Sequence, residues 1–247
     1  MDLKESELLG DAQDTHWYFV SKSRALLKAI GTKPLSRIID VGAGSGFFSK
    51  VLLRDTPAAS AVCVDTGYAG DRSEACFGKP LSFRRSAPVA DADLVLMMDV
   101  LEHVDDDEGL VREYAGPALP GTRFIVSVPA FSWLWSTHDV FLEHRRRYTR
   151  RSIRRVLAGA GLTPVCEFYF FGAVFPAAVG QRLWSRRPWA HESPHSLLRR
   201  HHPLVNTLLT RLCVIESAVA THNRLVGLSA FAVAETTRAD AEGVARR

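Results

Sequence analysis

The sequence predicts an α/β fold built on a doubly wound, mostly parallel sheet. Short runs, such as the β-branched Arg37–Val41 and the apolar Leu94–Met98, alternate with longer segments in which apolar residues recur at helical spacing. The run Leu94–Met98 is apolar throughout, which is typical of a parallel strand buried on both faces. The chain of 247 residues is long enough for one such domain with additions.

A glycine-rich turn follows the first apolar run, where residues 38–46 read IIDVGAGSG. Glycine permits backbone angles and close ligand approach that a Cβ would prevent, so this turn is predicted to contact a ligand. Its spacing is G-x-G-x-G, whereas nicotinamide-binding turns read G-x-G-x-x-G. Asp40, just before the first glycine, would repel a pyrophosphate but attract an ammonium group. The turn therefore favours a cationic ligand without phosphates, and an NAD-dependent oxidoreductase stays open as an alternative.

A second acid follows the next apolar run, residues 61–64. Asp65 comes about 20 residues after Gly46, the offset at which an acid binds ribose hydroxyls. A ligand that combines a ribose with an ammonium group suggests S-adenosylmethionine.

The chain resembles the class I S-adenosylmethionine-dependent methyltransferases at three motifs in order. These are DVGAGSG at 40–46, the acid Asp65, and DVLEHV at 99–104, which resembles a signature of the ubiquinone-biosynthesis-like and related small-molecule methyltransferases. The resemblance spans about residues 37–172 with a final strand near 227–235. It implies a Rossmann-like, doubly wound, seven-stranded, mostly parallel sheet with N-terminal helices and a helical insertion before the last strand.

The resemblance also assigns the cofactor S-adenosylmethionine to particular residues. Asp40, Asp99 and the glycine turn would hold the methionine portion, and Asp65 the ribose. The predicted cofactor-binding residues are Asp40, Gly42, Ala43, Gly44, Gly46, Asp65, Thr66, Asp99, Val100 and Leu101.

Methyl transfer from a sulfonium is an in-line displacement, so positioning can supply most of the rate. The protein can add a base that removes a proton from the acceptor. His103, beside Glu102 after the fourth predicted parallel strand, has a side-chain type suited to that role, and His138 and His144 are rivals. A purely structural role for His103 stays open, and no metal site is predicted.

An aromatic loop at 131–135 and the segment after it are predicted to contact the acceptor. The segment HDVFLEHRRRYT, 138–149, resembles an H-D-x-x-x-x-H-x-R-R-Y-T pattern of a subset of bacterial methyltransferases, in which this region lies near the acceptor. The predicted acceptor-binding residues are Trp133, Trp135, Arg147 and Tyr148.

The chain is predicted to divide into consecutive parts. They are an N-terminal helical cap, the cofactor-binding core, a helical insertion, the closing strand of the core and a flexible tail, at 1–34, 35–172, 173–225, 226–236 and 237–247. In the insertion, residues 204–220 form an amphipathic helix with Arg199, Arg200 and Arg211 as basic neighbours. The insertion is therefore predicted to contact the acceptor as a lid, or a membrane surface.

The overall composition narrows the function classes. The formal charge of +4 is modest and its basic residues are clustered, so nucleic acid is not predicted as a partner. Four cysteines without C-x-x-C pairing and an N-terminus without a secretory signal indicate the cytoplasm, or the inner face of its membrane. The predicted function is methyl transfer to an oxygen or nitrogen of a small or lipid-linked acceptor. A non-catalytic binding protein with the same fold is the alternative, and the oligomeric state is left open.

Overall fold

The computed structural model describes residues 9–185 and 201–237. One eight-stranded sheet runs through this part of the chain in the order β3-β4-β2-β1-β5-β6-β8-β7. The strands are β1 Arg37–Val41, β2 Ser60–Val64, β3 Arg72–Cys76, β4 Lys79–Arg84, β5 Leu94–Met98, β6 Arg123–Pro129, β7 Thr163–Phe170 and β8 Ser229–Glu235. Only β3 and β8 run against the other strands of this sheet. The predicted α/β class with a mostly parallel sheet is confirmed.

The strand count of the prediction was wrong, because the described sheet has eight strands rather than seven. The additional strand is β3, which forms an antiparallel hairpin with β4. Phe77 and Gly78 make the two-residue turn with positive φ angles of 53° and 74°, as hairpin turns require. β3 is an edge strand whose residues are mostly exposed, so it lacks the apolar alternation that would have revealed it.

The core lies on both faces of the sheet. Along β5, Leu94, Leu96 and Met98 belong to one buried cluster, whereas Val95 and Met97 belong to the cluster on the opposite face. Successive side chains of a strand point to opposite faces, and here both faces are covered. This double burial is why β5 is apolar at every position.

Seven α-helices flank the sheet in the described residues. They are α1 Trp17–Ile30, α2 Phe47–Asp55, α3 Asp107–Ala115, α4 Thr137–Phe141, α5 Arg150–Gly159, α6 Phe175–Ser185 and α7 Pro203–Ser217. Short 3₁₀ helices occupy Gly10–Thr15, Leu101–His103, Ser132–Leu134 and Ala220–His222. The predicted N-terminal helices and the helical insertion before the last strand are confirmed. The predicted tail, beyond residue 237, and the basic residues Arg199 and Arg200 lie outside the described residues.

The insertion and the N-terminal helices meet over one edge of the sheet. The Asn206 side chain of α7 accepts a hydrogen bond from the backbone N–H of Trp17 at 2.9 Å and donates one to the carbonyl of Thr15 at 2.8 Å. This is the edge at which the parallel strands have their carboxyl ends, where open α/β sheets bind ligands. No helix in the described residues has the length and apolar character needed to cross a membrane.

Candidate active site

The glycine turn joins β1 to α2 in a conformation that only glycine adopts easily. Gly42, Gly44 and Gly46 have φ angles of 64°, 55° and 72°. The N–H of Gly42 donates to the carbonyl of Val64 at 2.7 Å, which ties the turn to the end of β2. A Cβ added to Gly42 would lie 2.6 Å from a methyl group of Val100. The turn is therefore a shaped backbone surface that a side chain at position 42 would deform.

Asp65 lies directly beside this turn at the carboxyl end of β2. Its Oδ2 accepts a hydrogen bond from the N–H of Gly44 at 3.0 Å, and its Oδ1 accepts one from the N–H of Gly67 at 2.9 Å. The hydroxyl of Tyr68 donates to the carbonyl of Gly44 at 2.7 Å and braces the same loop. These contacts fix the carboxylate while its remaining lone pairs can accept hydrogen bonds from a ligand. Thr66, next in the chain, is exposed.

Asp40 lies beneath the turn and is buried. Its Oδ2 accepts a hydrogen bond from the Ser49 hydroxyl at 2.8 Å, which links β1 to α2. Burial raises the pKa of Asp40 to about 6, more than the hydrogen bond from Ser49 lowers it. Because this carboxyl group faces Ser49, the predicted contact with the methionine portion of the cofactor stays a prediction.

The raised pKa of Asp40 makes protein stability depend on pH. An acid whose pKa is higher in the folded than in the unfolded state favours folding at low pH, and this contribution is lost as the pH rises through the folded pKa near 6. We expect the melting temperature of Asp40→Asn, measured relative to that of the parent, to rise from pH 4 to pH 7, because only the parent loses the contribution of Asp40 over this range. A shift of this size corresponds to about 3 kcal/mol.

The measurement is thermal unfolding of both proteins across that pH range, with Asp91→Asn as the matched control because Asp91 is exposed. A difference in melting temperature between parent and Asp40→Asn that stays constant with pH would contradict the assignment.

Asp99, at the carboxyl end of β5, is paired with a lysine that sequence reasoning missed. The ammonium of Lys22 donates to Oδ1 of Asp99 at 2.6 Å, contacts its Oδ2, and donates to the hydroxyl of Tyr18 at 2.8 Å. The Lys22 side chain is fully buried. Tyr18 and Lys22 are one helical turn apart on α1, and this spacing is the only sequence signal that these two side chains interact. The charge of Asp99 is thus already balanced within the chain, and its predicted contact with the cofactor stays a prediction.

A cavity of about 360 Å³ opens beside Asp99. Its floor is polar and comes from the segments after β5 and β6, with Glu102, His103 and His144 among the lining residues. Its opposite wall comes from α6 and α7, with apolar residues such as Ala178 and Leu209. Sites for small molecules typically combine apolar surface with polar groups that fix the orientation of the ligand.

The three predicted histidines come together at this cavity, although His138 and His144 follow β6 and His103 follows β5. The ring centroids of His103 and His144 are 4.8 Å apart, and those of His138 and His144 are 6.3 Å apart. Nδ1 of His144 is 2.9 Å from Oδ1 of the buried Asp139, a contact that orients the imidazole. Burial lowers the pKa of His138 to about 3, so this histidine is neutral at physiological pH.

Glu102 is fully buried between these histidines and Asp99. Neither of its carboxyl oxygens has a hydrogen-bond partner. Burial, followed by the nearby charge of Asp99, raises its pKa well above the usual range for glutamate. Sequence reasoning treated Glu102 only as a neighbour of His103, since nothing in a local motif reveals an unpaired carboxyl group.

Of the four predicted acceptor-binding residues, one lines the cavity and three do not. Arg147 lines the cavity, but its guanidinium is held by both oxygens of Asp139 at 2.6 and 2.8 Å and by the carbonyl of Ala130 at 3.0 Å. Its hydrogen bonds and that of His144 lower the pKa of Asp139 well below the usual range, although burial alone would raise it. Arg147 therefore positions Asp139 and, through it, His144.

Tyr148, Trp133 and Trp135 are not among the residues that line the cavity. The buried hydroxyl of Tyr148 donates to the carboxylate of Asp107 at 2.7 Å and lies 3.0 Å from the carbonyl oxygen of Leu101. The half-exposed Trp133 packs against Phe131 and Phe175, with ring centroids 5.8 and 5.9 Å apart. An acceptor contact of these three residues stays a prediction.

Comparisons with known proteins identify a matching family and solved structures that have the same fold. A family model described as a methyltransferase domain matches residues 15–167, more than half of the chain. None of the curated proteins matches the sequence. Solved structures with the same fold include an S-adenosylmethionine-dependent methyltransferase from Archaeoglobus fulgidus, with a TM-score of 0.54, 15% identity, and coverage of 95% of this chain and 98% of that one.

Two further solved structures share the fold with similar TM-scores and similar sequence identities. Geranyl diphosphate methyltransferase in complex with S-adenosylmethionine has a TM-score of 0.55 and 14% identity, covering 88% of this chain and 85% of that one. A chain from the complex of the Haloferax volcanii Trm112 methyltransferase activator with a methyltransferase has a TM-score of 0.54 and 16% identity, covering 95% of each chain. By its matched domain and its fold, the chain belongs to the class I S-adenosylmethionine-dependent methyltransferases.

Proposed function

We propose that this protein transfers the methyl group of S-adenosylmethionine to an oxygen or nitrogen of a small-molecule acceptor bound in the cavity beside Asp99. The observation that carries the proposal is the position of this cavity. It lies beside the carboxyl ends of β5 and β6, and β5 is the neighbour in the sheet of β1, which leads into the glycine turn. Its lining combines the histidine cluster with apolar residues of α6 and α7. Its volume of about 360 Å³ falls in the range of small-molecule sites.

The residues present fit the cofactor. The glycine turn offers a backbone surface in which Gly42, Gly44 and Gly46 have positive φ angles. Asp65, beside this turn, offers a fixed carboxylate with lone pairs for ribose hydroxyls. When bound, S-adenosylmethionine supplies an electrophilic methyl group on a sulfonium. Asp65 and the Gly42–Gly46 backbone would hold it, while Val100 and Leu101, both buried after β5, would border it.

The histidine cluster would manage the proton of the acceptor. Methylation of a hydroxyl or of a protonated nitrogen would require the acceptor to give up a proton to a base or to solvent. His144 suits this role because Asp139 orients its ring, which is the arrangement that general bases commonly have. His103 lies next to it and is the second candidate. The pKa of His138 is lowered to about 3, which makes this histidine a weak base.

The test of this function combines binding with turnover. Calorimetry should detect S-adenosylmethionine and S-adenosylhomocysteine, and incubation with methyl-labelled cofactor and host metabolite extract should transfer label to an acceptor. Binding of NAD without binding of S-adenosylmethionine would support the oxidoreductase alternative. Cofactor binding without transfer to any extract fraction would support the non-catalytic alternative.

An exposed apolar face on α7 supports a version in which the acceptor is lipid-linked and met at a membrane surface. Leu204, Leu208 and Ile215 are 76%, 66% and 72% exposed on one side of the helix. Exposed apolar surface of this extent marks an interaction site more often than idle surface. Arg211, on the same helix, is exposed and would attract anionic headgroups.

We expect the protein to co-sediment with anionic vesicles at moderate salt, and the double variant Leu208→Glu/Ile215→Glu to lose most of this binding. Leu119→Glu is the matched control, because Leu119 is 55% exposed but lies beyond α3, away from the α7 face. No co-sedimentation of the parent protein, or equal loss in the control, would remove the membrane version and leave a freely diffusing acceptor.

A further inference from the structure

Glu102 is one of the residues that line the cavity, and its carboxyl group is buried without a hydrogen-bond partner. It lies in the 3₁₀ turn Leu101–His103 after β5, it has no exposed surface, and neither of its oxygens has a hydrogen-bond partner. A buried polar group without a partner is costly, and a buried charge more so unless it is paired or bound to a metal. The neighbouring Asp99 contrasts with it, because Lys22 already balances that carboxylate. Glu102 is therefore placed to receive a cationic partner from outside the chain.

Two imidazoles face the same point. Ligand atoms of Glu102, His103 and His144 all lie within 4.8 Å of one another. Nδ1 of His144 is engaged by Asp139 at 2.9 Å, which leaves Nε2 as its donor atom toward the cluster. A carboxylate that orients a histidine through its other ring nitrogen is the usual outer partner of a metal-binding histidine. Asp139 is itself held by Arg147, so this support is rigid.

We infer that Glu102, His103 and His144 bind a divalent transition-metal ion such as Zn²⁺, Fe²⁺ or Mn²⁺. Two imidazoles and one carboxylate form a donor set that favours these ions over Mg²⁺ and Ca²⁺, which prefer oxygen ligands alone. Three protein ligands leave positions open, as catalytic metal sites require, and all three residues line the cavity.

This inference rests on the proposed function for its consequence, which is an acceptor that offers a hydroxyl oxygen. A hydroxyl bound at an open position of the ion loses its proton to solvent more easily, because the cation stabilises the resulting oxyanion. That oxygen then forms the bond to the methyl carbon as the carbon–sulfur bond breaks, and the oxidation state of the ion does not change. With the ion bound, His144 is a ligand rather than the proton acceptor. A chelator should therefore stop methyl transfer that depends on the metal ion and leave methyl transfer that depends on proton removal by His144 unaffected.

The experiment measures metal binding directly, on the full chain. Purified protein is stripped with a chelator and titrated with Zn²⁺ by calorimetry and with Co²⁺ by visible absorption. We expect one strong site per chain, weakened at least tenfold in Glu102→Gln and in His103→Ala. Glu113→Gln and His222→Ala are the matched controls, because both side chains are exposed away from the cavity. Thermal melting identifies any variant that has lost its fold, and the isosteric Glu102→Gln then decides.

The outcomes separate this inference from the proposed function. Weak binding of both ions by the parent, or equal affinity in Glu102→Gln and Glu113→Gln, would overturn the metal site. If S-adenosylmethionine still binds in that case and label is still transferred in the presence of chelator, the proposed function stands without the ion. If the parent binds one ion that Glu102→Gln loses, the metal site stands even where no methyl transfer is found.

Discussion

Replacing Asp65 with alanine is expected to lower the affinity for S-adenosylmethionine by at least about 100-fold. A hydrogen bond to a charged group contributes about 1.5–3 kcal/mol, and two such bonds to the ribose hydroxyls amount to two or more factors of ten. The substitution also removes the acceptor of the Gly44 N–H, which holds the glycine turn in place. Both effects act on the cofactor site and not on the acceptor cavity.

Calorimetric titration with S-adenosylhomocysteine checks this expectation. Asp91→Ala is the control, since it removes an exposed carboxylate on the connection that leads into β5, remote from the glycine turn. An affinity of Asp65→Ala within threefold of the parent would show that the ribose is bound elsewhere. Gly42→Ala offers a second route to the same site without changing any charge, because its Cβ would lie 2.6 Å from Val100.

Replacing His144 with alanine is expected to lower the single-turnover rate of methyl transfer by about 10²–10⁴-fold while cofactor affinity stays nearly unchanged. His144 lines the acceptor cavity, is oriented by the buried Asp139, and contacts His103. The loss is expected whether His144 removes the proton itself or binds a metal ion that lets the acceptor hydroxyl lose its proton to solvent more easily. His138→Ala should cost less, because the pKa of His138 is lowered to about 3.

The rates are compared at saturating cofactor, with thermal melting to exclude loss of the fold and His222→Ala as the exposed control. His103→Ala is measured beside them. Near-parental rates in both His103→Ala and His144→Ala would mean that the enzyme works by positioning alone, and that the cluster has a structural role. Addition of chelator to the parent then separates proton removal by histidine from activation by a metal ion.

The glycine turn, the buried strand β5 and the position of Asp65 could be predicted from the sequence, because each depends on residues that are close together in the chain. The glycines at 42, 44 and 46 adopt positive φ angles that few other residues tolerate, so their pattern marks the turn wherever it occurs. The five apolar residues of β5 mark burial on both faces for the same kind of reason. Asp65 follows β2 at an offset set by one strand–helix–strand unit, and the fold places its carboxylate against Gly44.

The site proposed for the acceptor was decided only by tertiary structure, because its residues come from segments far apart in the chain. Lys22 and Asp99 are 77 residues apart in sequence. No periodic pattern in the sequence indicates that Lys22, on α1, pairs with Asp99 at the end of β5. Arg147, predicted to bind the acceptor, lines the cavity and also holds Asp139 through two hydrogen bonds. Glu102 changes from a motif neighbour to a candidate ligand solely because folding buries both of its oxygens without a partner. Burial and pairing of this kind depend on what packs around a side chain, which the order of residues along the chain does not state.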